Sequence, residues 1–127
     1  MRQIFLSMGL VLGLLIFGVA CDYGKSGGGT QTTDSALMSP PSSAGRTDND
    51  EGVGHYKQGH WDVSEGQFRK AIKADPNLAE AHYNLGLALD KMSKHEEATT
   101  EFKKAAELAP TNPAIKDSAI LKKHIAM

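Results

Sequence analysis

Four pairs of residues in this chain stand 34 positions apart: Gly52 and Gly86, Phe68 and Phe102, Ala71 and Ala105, Pro76 and Pro110. A fixed period of that length means that one supersecondary unit is repeated. Such a unit cannot bury its apolar face alone and does so by stacking on its neighbour. The period therefore constrains the fold more than composition does.

The residues between these markers predict helices. Leu78, Ala81, Leu85, Ala88, Leu89 and Met92 recur every three or four positions, as one face of a helix should, and Ala98, Phe102, Ala105 and Ala109 do so further on. The small residues Gly86, Ala98 and Ala105 allow paired helices to approach closely, and Phe68 and Phe102 fill the space between layers. Asp48 with Glu51, Asn77 with Glu80 and Ser93 with Glu96 have capping-box spacing. Pro76 and Pro110 mark turns between units, and Gly59 suits a helix C-terminus. The tail opens with Asn112 and Pro113, a cap residue and a favoured first helical residue. There Ile115, Ala119, Ile120 and Leu121 make one apolar stripe, with Lys116, Lys122 and Lys123 left polar. This predicts a single capping helix over about 113–126, of the kind that ends a repeat array. The expectation is an all-α domain over 46–127, with two hairpins and a cap.

These markers resemble the tetratricopeptide repeat. The second unit, about 79–112, carries Leu85-Gly86, Leu89, Ala98, Phe102, Ala105 and Pro110 at the signature places. The first, about 45–78, keeps Gly52, Gly59, Phe68, Ala71 and Pro76, but has His55 where an aromatic or Leu is usual and Ser64 where Ala is usual. The resemblance implies a right-handed α-solenoid in which the first helix of each unit lines a concave groove for a protein partner. The groove residues would be Asn49, Val53, Tyr56 and Lys57 from unit one, and Glu80, Tyr83, Asn84, Leu87, Asp90 and Lys91 from unit two. Aromatic anchors beside polar groups suit a peptide. Some members clamp a C-terminal carboxylate; Asn84 fits one clamp position, but Val53, Ala114 and Ser118 stand at others, so that mode is rejected. Trp61 would pack at the start of a second helix. Two repeats are fewer than the three that usually suffice. The cap compensates, or a partner or second copy supplies the missing interface, so a homo-oligomer is one expectation.

The N-terminus reads differently. Arg2 precedes an uncharged run from Ile4 to Ala20, the layout of a secretory signal. Gly18-Val19-Ala20-Cys21 resembles a bacterial lipobox, with Gly18 where Leu is usual. This implies cleavage of a signal peptide over 1–20 and lipidation at Cys21, with several acyl chains needed for stable anchoring. An uncleaved anchor helix is the alternative, and either places the repeats outside the cytoplasm. The chain's one cysteine excludes an internal disulfide, and no ordered surroundings are expected there to activate a nucleophile. Residues 21–45 are rich in Gly, Ser, Thr and Pro and read as a flexible tether.

Elsewhere the sequence offers little chemistry. Fourteen basic and fifteen acidic residues give a net charge of −1, which suggests neither nucleic acid nor an anionic lipid surface. His55 and His60 are five apart and so do not share a helix face, and His82 and His95 fall on different helices. No metal or cofactor is expected from them. Asp48-Asn49-Asp50-Glu51 lacks the spacing of a calcium loop and fits a helix N-terminus. The expected function is a membrane-anchored scaffold that binds a peptide or helix of an envelope protein, without catalysis of its own. The alternative is an accessory or regulatory subunit of an envelope enzyme.

Overall fold

The computed structural model describes residues 34–126, so the expected signal, Cys21 and the first part of the expected tether lie outside the described residues. All regular structure among the described residues is helical: α1 Arg46–Lys57, α2 Trp61–Ala74, α3 Ala79–Lys91, α4 His95–Leu108, α5 Pro113–Lys116 and α6 Ala119–Ile125. Helices α2 and α4 have equal length and begin 34 residues apart. Helices α1 and α2 form one hairpin, α3 and α4 the next, and α2 packs on α3 while α6 packs on α4.

Helix α3 is the centre of the molecule. Every residue from Ala81 to Leu89 is buried, polar ones included. A helix enclosed on all sides must have its polar side chains partnered. His82 and Asn84 meet that demand through hydrogen bonds described below. Its Leu85, Leu87 and Leu89 and the surrounding Phe68, Phe102 and Ile115 are all essentially inaccessible. The two units pack alike, although the first is looser in sequence. A Cβ on Gly52 would lie 2.5 Å from the Phe68 ring, and one on Gly86 would lie 2.8 Å from the Phe102 ring. The departure at Ser64 is accommodated as well: its buried hydroxyl donates to the His60 carbonyl at 2.9 Å.

The capping boxes are not formed. The N-cap residues of the four long helices are Gly45, His60, Leu78 and Lys94, none with a side-chain cap bond. Asp48 lies inside α1. Ser93 ends a helix instead of starting one. After α1, the Gly59 N–H donates to the Tyr56 carbonyl and the His60 N–H to the His55 carbonyl, with Gly59 at φ 80°. After α3, Ser93 donates to Asp90 and Lys94 to Leu89, with Ser93 at φ 62°. Both are Schellman motifs, but the second puts a side chain where glycine is at ease, at a cost of about 1–2 kcal/mol. Ser93→Gly is therefore expected to stabilise the fold by about 1 kcal/mol, read as a higher urea midpoint with an unchanged slope.

The single capping helix is also corrected. The tail breaks at Asp117-Ser118 into α5 and α6. The Asn112 side chain caps α5, as expected, with Pro113 at its start. Ser118 then adopts extended backbone and caps α6 by accepting the Leu121 N–H. Its hydroxyl also accepts from the Tyr83 hydroxyl at 2.9 Å and donates to Asp34 at 3.0 Å. Three partners on a buried oxygen hold Ser118 at this break. The break changes the helical phase, so Ile115 and Leu121 are buried but Ala119 is exposed.

Candidate functional site

The expected groove lies on α1 and α3. Asn49, Val53, Tyr56, Tyr83, Asn84 and Leu87 are all buried, Glu80 and Asp90 are half-buried, and Lys57 and Lys91 are exposed. The expectation that this face looks into solvent is thereby corrected. What covers it is the chain itself. Residues 34–39, read from sequence as part of the flexible tether, lie along α1 and α3, with Ala36 in the core and Leu37 packed against it.

Main-chain hydrogen bonds hold this segment. The Asn84 amide grips both main-chain polar groups of Leu37: its Oδ1 accepts the Leu37 N–H at 2.7 Å, and its Nδ2 donates to the Leu37 carbonyl at 2.7 Å. Asn49 Nδ2 donates to the same carbonyl at 2.9 Å, and Asn84 Nδ2 donates to Asn49 Oδ1 at 2.9 Å. Both amides are fully buried, where an unmade hydrogen bond costs most. Asp50 accepts the Ser39 N–H at 3.0 Å. At the other end, Asp34 accepts from the Ser118 hydroxyl and from the Ile120 N–H at 3.1 Å, which ties the segment to the start of α6. Two side-chain amides reading the main-chain N–H and carbonyl of one residue recognise backbone, whichever side chain it carries.

Aromatic groups flank this grip. Tyr56 meets Trp61 edge-on at 4.8 Å, and Lys91 Nζ lies 5.9 Å from the Trp61 ring centre. Trp61 is half-buried and packs at the start of α2, as expected. Burial, with smaller contributions from Tyr83, Asp90 and Asp34, pushes the Tyr56 hydroxyl up to about 12, so it stays neutral. Tyr83 is raised too, chiefly by burial.

The histidines separate into three environments. His82 bridges Glu101 at 2.7 Å and the Pro76 carbonyl at 2.9 Å. Burial works to lower its pKa, but those two acceptors outweigh burial and raise it above the ordinary 6.5. His82 thus joins α3, α4 and the turn before α3. His55 and His60 come together, ring centres 5.8 Å apart, because the Schellman turn folds one back towards the other. His95 meets a residue that the sequence did not single out, His124 on α6, and both contact Asp90 at 2.9 Å. Burial opposes the charged form of Asp90, but the bonds from His124 and His95 hold its carboxyl below the usual range.

The tetratricopeptide repeat family matches residues 49–113, half of the chain, and the matched span runs from the clamping Asn49 through both hairpins to Pro113. The chain belongs to the tetratricopeptide repeat family. A search of curated proteins found no match. Tetratricopeptide repeats mediate protein–protein interaction and are typically non-catalytic. Among the described residues, no helix is long and apolar enough to cross a membrane.

Proposed function

We propose that this protein is a membrane-anchored scaffold whose groove takes an extended segment of an envelope protein through its main chain, and that residues 34–39 hold the groove in the free protein. The observation that carries this reading is the paired grip of Asn49 and Asn84 on the main chain of Leu37. An extended backbone in that position leaves side-chain identity to the flanking pockets. Lipidation at Cys21 would hold the domain at the membrane on the outer side of the cytoplasm. A short intramolecular segment competes at an effective concentration in the millimolar range, so a partner must bind well or the segment must first be released. Such a protein helps assemble a larger envelope complex by exchanging its own strand for another.

The test replaces residues 35–39 by a Gly/Ser stretch of equal length in the full chain. The opened protein, verified as helical by circular dichroism, is expected to bind a fluorescent peptide of the native 34–40 sequence at least about tenfold more tightly than the parent. It should also retain an envelope protein that the parent retains weakly. Palmitate labelling of the parent, lost in Cys21→Ser, tests the anchor separately. A folded, opened protein that binds neither peptide nor envelope protein sinks the groove reading.

A further inference from the structure

We propose that Asp90, His95 and His124 form a binding site for a zinc-class divalent cation, which clips helix α6 to the second repeat. The three ligand atoms lie within 4.8 Å of one another, and one carboxylate oxygen faces both ring nitrogens. Asp90 stands near the end of α3, His95 at the start of α4 and His124 in the last turn of α6, so the site joins three elements.

An acidic group beside two histidines can be a plain ion pair. Thr99 adds the observation that points to a cation. Its hydroxyl donates to the His95 carbonyl at 2.8 Å, because a carbonyl can only accept. A hydroxyl has one proton, so at 2.8 Å from His124 Nδ1 it must accept from that nitrogen. Nδ1 of His124 thereby carries a proton, and in the neutral ring the lone pair of Nε2 would face Asp90 Oδ1 from 2.9 Å. A lone pair and a carboxylate oxygen at that distance repel each other unless a cation lies between them: a second proton or a metal ion. Fixing a histidine's tautomer through the nitrogen that does not bind metal is the usual second-sphere arrangement of a metal site.

The donor set suits zinc and related ions, which take imidazole nitrogen and carboxylate oxygen at about 2.0–2.2 Å, with ligand atoms about 3.3 Å apart. The contacts of 2.9 Å must open by a few tenths of an ångström. His95 can supply that movement, because its side chain is 60% exposed, whereas His124 is held in place at 5%. Three protein ligands leave a fourth position for water or a partner's side chain. The clip would act on an array with few repeats, where a metal can supply stability that a small core lacks. It would also hold the helix whose start binds Asp34 of the strap across the groove.

The test is zinc titration of the full chain by calorimetry, with the Cys21 thiol blocked by iodoacetamide, together with thermal unfolding. The parent is expected to bind one zinc ion and to gain thermal stability from it. His95→Ala, at an exposed position, should abolish both effects without unfolding the protein. Thr99→Val keeps all three ligands and should weaken binding about 10–100-fold by freeing the His124 tautomer. His60→Ala should change nothing. The proposal is overturned if the parent binds no zinc at micromolar concentration, if His95→Ala binds as the parent does, or if His60→Ala removes the binding. In those cases the cluster is an ion pair that uses a proton.

Discussion

Asn84→Ala is expected to lower the stability of the domain by about 2–3 kcal/mol and to release residues 34–39 from the groove. The amide makes three hydrogen bonds, two to the main chain of Leu37 and one to Asn49 Oδ1, and it is fully buried. Truncation leaves the Asn49 oxygen without that donor and removes two of the three side-chain hydrogen bonds to Leu37, and each buried polar group left unpaired costs about 1–3 kcal/mol. The helix itself gains slightly from alanine, which does not offset that loss. Two readouts separate loss of the strap from general loosening. Urea unfolding gives the stability change. Hydrogen exchange should show the Leu37 amide unprotected, while amides in the middle of α3 and α4 exchange only by global opening. Asn84→Asp sharpens the test. It keeps an acceptor for the Leu37 N–H, but sets a carboxylate against the Leu37 carbonyl and the Asn49 oxygen, and it should cost at least as much as alanine. A strap amide that stays protected in Asn84→Ala would show that the apolar contacts of Ala36 and Leu37 hold the segment without the clamp.

The strap also marks where the sequence was legible and where it was not. The period of 34 residues carried the hairpins, because Gly52 with Phe68 and Gly86 with Phe102 are the contacts that set helix spacing, and both halves of each contact recur. Composition hid the strap. A stretch rich in Gly, Ser, Thr and Pro has too little apolar area to order itself, and averaging over it conceals Ala36-Leu37, the pair that an apolar face could hold. The apolar content of the concave face was the other half of that signal: Val53, Tyr83 and Leu87 are costly to leave in water. The caps are obscured for a different reason. A serine three residues before a glutamate fits an N-cap, but Ser93 follows Met92 by one residue and occupies the turn position that Gly59 holds in the first unit. Reading the period itself would have placed Ser93 opposite Gly59. His124 is not legible in the sequence because the tail's apolar spacing fits one helix, whereas the break at Ser118 rotates it onto Phe102 and Asp90.

Gly86→Ala is expected to destabilise the protein despite alanine's better helix propensity, and the cost should fall when Phe102 is shortened. Propensity favours alanine by about 1 kcal/mol in a helix interior. Against it, the new Cβ would lie 2.8 Å from two atoms of the Phe102 ring and 3.0 Å from a third. That ring cannot yield, since it is wholly buried, with Tyr83 at 5.7 Å on one side and His124 at 5.0 Å on another. Overpacking of this kind costs about 1–3 kcal/mol, so the net change should be a loss, and α3 must move away from α4 to relieve the clash. Phe102→Ala should be the most damaging single truncation in the second repeat, at about 3–5 kcal/mol, a large share of what a domain of this size possesses. Phe102→Leu is the useful partner for a double-mutant cycle, because it removes the ring edge that meets Gly86 and keeps part of the volume. If the glycine is there for the ring, Gly86→Ala should be nearly neutral or stabilising in the Phe102→Leu background, with a coupling of about 1 kcal/mol or more between the sites. Additive costs would mean that the helices separate for another reason. The same cycle at Gly52 and Phe68, where the approach is 2.5 Å, should give a coupling at least as large, because the tighter contact leaves the ring less room.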